Sequence, residues 1–131
     1  LWDRGIMVVA AAGNNGPKDN SVTIPGISRK IVTIGSSDDG KSEPGKRGLK
    51  TGYSSNGPTA CCIVKPEILA PGTAIKSCGR EKNGYQVKSG TSMAAPVVTG
   101  ALALAFQKYP YLSPERIRFH TTYALPQILG A

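Results

Sequence analysis

Apolar positions along this chain fall into runs of two periods. Residues 6–12, Ile-Met-Val-Val-Ala-Ala-Ala, are apolar without alternation, which predicts a parallel strand buried on both faces. A shorter run of the same kind spans 31–34, bounded by Arg29-Lys30 and Gly35. Ile63-Val64 and Ile68-Leu69 flank Lys65-Pro66 and predict short extended pieces. Residues 73–77 and 85–88 read as the two arms of a hairpin around Asn83-Gly84. From about Ser92 to Lys108 a helix is expected, apolar on every side until Gln107. Such a helix belongs at the centre of something larger than this chain can easily enclose. Ser113-Pro114-Glu115 supplies a cap, a first-turn proline and an acid, starting a second helix that should reach about Thr122. Residues 13–20 and 36–59 read as loops. The class is α/β, with a parallel sheet and at least one antiparallel hairpin.

The chemistry concentrates where two of these runs begin or end. Ser-Gly-Thr-Ser-Met-Ala-Ala-Pro at 89–96 places the hydroxyl of Ser92 at the start of the apolar helix. A helix N-terminus stabilises negative charge, which suits a nucleophile of acyl transfer. A capping serine is the plainer reading of Ser92 taken alone. The first strand runs into Gly13-Asn14-Asn15-Gly16-Pro17, a tight loop carrying a side-chain amide. Asn14 alone reads as a turn residue. Together, a hydroxyl and an amide donor make half of a hydrolase site.

These motifs carry a resemblance. Residues 8–16, Val-Val-Ala-Ala-Ala-Gly-Asn-Asn-Gly, and 90–96, Gly-Thr-Ser-Met-Ala-Ala-Pro, resemble the oxyanion and serine motifs of the subtilisin-like serine proteases, the subtilases. Thr23-Ile-Pro-Gly26, residues 31–35, Tyr53-Ser-Ser-Asn-Gly-Pro58 and Lys65-Pro-Glu-Ile-Leu-Ala-Pro-Gly72 fall between them in the family's order, and 109–117 is similar to its closing helix pair. The resemblance covers essentially the whole chain and implies the C-terminal half of a three-layer α/β catalytic domain, with 1–131 a partial peptidase domain. It implies a serine endopeptidase with Ser92 as nucleophile and Asn14 as oxyanion donor beside the Ser92 N–H. Ala11, Ala12 and Gly13 would line one wall of the S1 pocket, and residues 22–26, with Thr23 near the base and Ile24 beside it, another. No acid lies in either segment, so an apolar P1 residue is expected. Family members often carry a cis peptide before the proline matching Pro25.

The family's Asp and His motifs do not occur within these 131 residues. The lone His120 follows Ser92 and lacks the acid and elbow of an α/β-hydrolase, so it reads as an ordinary helix-face residue. The triad's Asp and His are therefore expected in an N-terminal half, which becomes the chain's partner beside a peptide or protein substrate. The start, Leu1-Trp-Asp-Arg, lacks the pattern of a secretion signal and an initiator Met, and for want of that Met the chain reads as an internal fragment or processed product. The alternative is a pseudoprotease, an interaction protein that kept the fold and lost the triad.

Charge and cysteines change little. The net charge of +8 gathers partly in Lys41, Lys46, Arg47 and Lys50, without interleaved aromatics. This reads as a solvated loop, and no nucleic-acid partner is expected. No apolar run approaches a membrane span. Cys61, Cys62 and Cys78 are an odd number without Cys-x-x-Cys spacing, so no metal site is expected; buried free thiols are the default, with one of the adjacent pair able to meet Cys78 if their segments pair. The resemblance allows a structural calcium without identifying ligands, and implies a secreted or extracellular setting.

Overall fold

The computed structural model describes residues 1–38, 52–80 and 84–128, the side chains of 123–128 excepted. The basic loop at 41–50 and the hairpin tip at 81–83 lie outside the described residues. Three parallel strands form the sheet: β1 (Val9–Ala11), β2 (Val32–Ser36) and β3 (Ile68–Ala70), in the order β1-β2-β3. Val9 pairs with Val32 and Ile34 with Ile68. An antiparallel hairpin, β4 (Ile75–Cys78) and β5 (Tyr85–Lys88), follows, and then two helices, α1 (Thr91–Lys108) and α2 (Pro114–Ile128).

β2 is the centre of the sheet, and every one of its residues is buried. Its β-branched side chains point alternately to the two faces. Val32 and Ile34 meet Ala94, Val98 and Leu102 of α1, with Ile117 of α2 completing the cluster. On the strand between them, Thr33 is buried and its hydroxyl donates to the Gly26 carbonyl (2.6 Å). One face of the sheet is thus covered by helix and the other by the loops before and after β2.

The first strand departs from expectation. Only Val9–Ala11 is strand, and Ile6 is exposed. Backbone bonds from Val32 N–H to the Val8 carbonyl and from Ala12 N–H to the Ile34 carbonyl extend the pairing slightly. The reason is topological: among the described residues β1 has a partner on one edge alone, so a run built for burial is half-covered. α1 shows the same shortfall. It buries the stripe Ala94, Val98 and Leu102, while Val97 and Leu104 on its other side are exposed.

Smaller corrections follow. Ile63-Val64 forms no strand, and Val64 is exposed. α2 continues past Thr122 to Ile128: Tyr-Ala-Leu at 123–125 offers no breaker, and Pro126 lies within the helix near its end. The three cysteines are free and exposed, not buried. Cys61 and Cys62 occupy a tight turn, in which Cys62 N–H donates to the Thr59 carbonyl and Thr59 N–H to the Ile63 carbonyl, and Cys78 ends an arm of the exposed hairpin. Neither segment pairs with the other.

Candidate active site

The carboxyl ends of parallel strands are where open α/β sheets place their chemistry, because loops and helix N-termini converge there. In this chain the end of β1 delivers Gly13 and Asn14, the end of β3 delivers Gly72, and the hairpin returns the chain to Gly90 and the start of α1. Ser92 stands in the first turn of α1 and is exposed. The N-cap is Gly90, with no side-chain cap. The first-turn N–H groups of a helix have no intrahelical acceptor. That of Thr91 donates to Asn14 Oδ1 (3.0 Å), while that of Ser92 has no acceptor among the described residues.

Thr91 organises the arrangement. It is fully buried, and its Oγ1 donates to Asn14 Oδ1 (3.1 Å) while accepting from Gly13 N–H (3.2 Å). Two donors from one residue fix which end of the Asn14 amide is oxygen. Nδ2, the donating end, is left beside Gly90, 3.2 Å from where a Cβ there would stand. Gly90 adopts φ 150, which a side chain would strain, so glycine is required for conformation and for room. The result is a hydroxyl at a helix start, a free backbone N–H on the same residue and an oriented amide NH₂ on an adjoining loop. Pro96 lacks the N–H that would donate to the Ser92 carbonyl, so that carbonyl has no i+4 partner in the helix.

The loop at residues 13–16 is braced by the segment at 53–55. Ser55 is fully buried; its Oγ accepts Asn15 N–H (3.0 Å) and its N–H donates to the Gly13 carbonyl (3.0 Å). Gly16 N–H donates to the Tyr53 carbonyl (2.8 Å). Sequence reasoning named Tyr53–Ser55 only as a family segment and gave Thr91 no role. The pairing of a short hydroxyl residue directly before Ser92 with Asn14 was the available signal for Thr91.

The residues expected around a substrate pocket come together in part. Thr23 N–H (3.0 Å) and Oγ1 (3.4 Å) both donate to the Ala12 carbonyl, and Thr23 Oγ1 lies 2.8 Å from a Cβ built on Gly13. Thr23 therefore adjoins Gly13. Ala12 is fully buried and meets Thr23 through its carbonyl, and Ala11 is half-buried. Ile24 is 81% exposed, and the Ile24–Pro25 peptide is cis. His120 is exposed on α2, its ring edge-on to Phe119.

Comparison with known proteins decides the family. Residues 2–125 match the subtilase family. The chain belongs to that family. It is 38% identical to serine protease AprX of Bacillus subtilis (strain 168), covering 89% of this chain and 29% of that protein. It is 36% identical to subtilisin DY of Bacillus licheniformis, covering 87% and 37%. Among solved structures it superposes on sphericase with a TM-score of 0.74 at 27% identity, over 92% of this chain and 40% of that one. The fold is thus a subtilisin-like α/β fold, of which this chain spans well under half the length of these relatives.

The described residues contain no group of three or more His, Cys, Asp or Glu that could hold a metal ion, so no calcium ligand is assigned. No described helix is long and apolar enough to cross a membrane.

Proposed function

We propose that residues 1–131 are the nucleophile-bearing part of a serine endopeptidase catalytic domain, cleaving peptide bonds through an acyl-enzyme on Ser92. The observation that carries this reading is the grip of Thr91 on Asn14 Oδ1. With Oδ1 taken by Thr91, the amide nitrogen of Asn14 is the donating end, beside Gly90 and so close in sequence to Ser92, which suits an oxyanion donor. Family membership and the names of the relatives, a serine protease and subtilisins, support the same reading.

In this mechanism Ser92 Oγ attacks the scissile carbonyl carbon, and its proton passes to an imidazole from the segment that supplies the triad's His and Asp. The carbonyl oxygen takes the negative charge and receives hydrogen bonds from Ser92 N–H and Asn14 Nδ2. Collapse expels the amine, which takes the proton from the imidazole, and water then releases the acyl group by the same steps. An apolar P1 side chain would lie between the Ala11–Gly13 backbone and Thr23-Ile24. The uncovered apolar side of α1 and the free edge of β1 are where the remainder of the domain would pack, and the protein would act outside the cell.

The test is labelling by a fluorophosphonate in the complete catalytic domain. A single adduct on Ser92, lost in Ser92→Ala without unfolding, is expected. Labelling that persists in the variant removes Ser92 from its role. Absence of labelling in a folded wild type favours the pseudoprotease reading. The 131-residue chain alone is expected to be inactive, because a serine hydroxyl is a weak nucleophile without an adjacent base.

A further inference from the structure

One carboxylate near this end of the sheet is used by nothing in the mechanism above. Asp38 follows β2, two residues past its last position. Its Oδ1 accepts three hydrogen bonds, from Gly72 N–H (2.7 Å), Thr73 N–H (3.0 Å) and the Ser36 hydroxyl (2.8 Å). Its backbone carbonyl accepts a fourth from Thr73 Oγ1 (2.9 Å). A side chain and a main chain together therefore clasp the turn that follows β3.

That turn is what the Ser92 helix starts from. The Gly72 carbonyl accepts Gly90 N–H (2.8 Å), and Gly90 is the N-cap of α1. With no side chain of its own, Gly90 fixes the helix start only through its backbone. Covalent geometry then carries its position to Thr91 and Ser92; Asn14 and Gly13 hold Thr91 from the other side, and Ala74 N–H donates to Ser89 Oγ (2.9 Å) beside the bridge. The same clasp reaches the oxyanion loop. Tyr53 Oη lies 2.8 Å from Ser36 Oγ and 3.0 Å from Thr73 Oγ1; both of those hydroxyls donate to Asp38, so Tyr53 gives its single proton to one of them at a time. Ser36 N–H donates to Ser54 Oγ (3.0 Å), and the Tyr53–Ser55 segment holds Gly13, Asn15 and Gly16.

We propose that Asp38 is a positioning residue: by gathering the Gly72 and Thr73 amides it fixes the Gly72–Gly90 bridge, and so sets where Ser92 stands relative to Asn14. The proposal rests on the reading of Ser92 as nucleophile. It assigns Asp38 no contact with substrate. A carboxylate oxygen that accepts several hydrogen bonds is a stiff anchor, since bonds to an ionised acceptor are short and strong. Loosening it lets the helix start drift, and a misplacement of about 1 Å at a reacting group costs about a hundredfold.

The experiment uses the complete catalytic domain and compares Asp38→Ala, Asp38→Asn and Lys65→Met. Lys65 belongs to a buried ion pair before β3, distant from this clasp in the hydrogen-bond network. The readouts are the rate of phosphonylation of Ser92 by a fluorophosphonate, kcat and KM on a peptide, the thermal midpoint, and amide exchange at Gly90 and Ile34. Asp38→Ala is expected to slow phosphonylation and lower kcat by about 10–100-fold with KM unchanged. Asp38→Asn keeps an acceptor oxygen and should stay within about threefold of wild type. Lys65→Met should lower the thermal midpoint without slowing phosphonylation.

Wild-type rates in Asp38→Ala, or equal slowing in Asp38→Ala and Lys65→Met at equal loss of stability, overturn the proposal. Should Asp38→Ala fail to fold, Asp38→Ser replaces it, since a hydroxyl reaches one amide at most; a wild-type rate there overturns the proposal equally. If wild type itself is not labelled at Ser92, the nucleophile reading has failed and exchange decides the rest. Faster exchange at Gly90 with Ile34 unchanged upholds the bridge, and unchanged exchange at Gly90 sinks it.

Discussion

The two ends of β2 are each held by a charged group, Lys65 buried and Asp38 half-buried, and the two groups work in opposite ways. Before the strand, Lys65 Nζ donates to the Ile31 carbonyl (2.7 Å) and pairs with Glu67, whose other oxygen accepts Thr33 N–H (2.8 Å). After the strand, Asp38 takes the amides of Gly72 and Thr73. Burial pushes the Lys65 ammonium below the usual lysine range; Glu67 opposes the shift and Arg118 adds to it. At Asp38 burial also disfavours the charge, but the bonds from Gly72, Ser36 and Thr73 outweigh it and hold the carboxyl below the ordinary carboxylate range. An ion whose charge is disfavoured where it stands is a weak source of stability, retained at the cost of its desolvation. An ion whose charge is favoured by fixed backbone donors is an anchor. The anchor stands at the carboxyl end, where Ser92 and Asn14 are, and the penalised pair at the end bearing Arg118 and Trp2.

This contrast can be broken most sharply at the carboxyl end. Ser92→Ala should abolish turnover and leave the thermal midpoint within about 2 °C, since an exposed hydroxyl contributes little to stability. A variant that keeps turning over peptide, assayed against wild type, ends the assignment. Asn14→Ala should lower kcat by about 10²–10³ with KM nearly unchanged, a magnitude carried over from a subtilisin. An effect confined to KM, read from steady-state kinetics, would make Asn14 a binding or turn residue.

At the amino end the effect should fall on stability alone. Lys65→Met leaves the Glu67 carboxylate without its cation, at a cost of about 3 kcal/mol in denaturant unfolding, with labelling of Ser92 unaffected. Restoring most of that loss by adding Glu67→Leu would show that the pair itself adds little; no recovery would show that Glu67 matters mainly through Thr33.

Specificity comes next. Thr23→Asp should shift P1 preference toward Lys or Arg by about tenfold across a peptide library. An unchanged profile would mean that Thr23 adjoins Gly13 without facing substrate.

The smallest effects are in pH. Asp38 has a lowered pKa in the folded chain, so its contribution is present above the unfolded value and is lost as pH falls through the folded one. Asp38→Asn should therefore flatten the acid limb of thermal midpoint against pH. The Lys65 pKa is lowered as well, so its penalty is present below the folded pKa and relieved as pH rises toward the unfolded value. Lys65→Met should remove that gentle rise in stability on the alkaline side. A slope unchanged by either substitution removes that group from the comparison.

How much was legible depended on whether a residue's partners were near in sequence. The signal at residues 89–96 carried the helix start and the candidate nucleophile, because helix and cap are local. The parallel strands were legible as apolar runs, but the limits of β1 were not, since they depend on having a neighbour on both edges. The exposed cysteines were misjudged because a turn of Thr-Ala-Cys-Cys and an extended strand look alike in apolar content.

The sequence by itself determined the class, the order of elements, and Ser92 and Asn14 as candidate chemistry, because each is written in spacing or in a compact motif. Tertiary structure decided what holds them. Thr91 meets Asn14 across 77 positions, Ser55 meets Asn15 across 40, and Asp38 meets Gly72 across 34. No local pattern encodes such pairs. They exist because parallel strands bring loops from distant parts of the chain to one edge, where each exposed backbone group must find a partner.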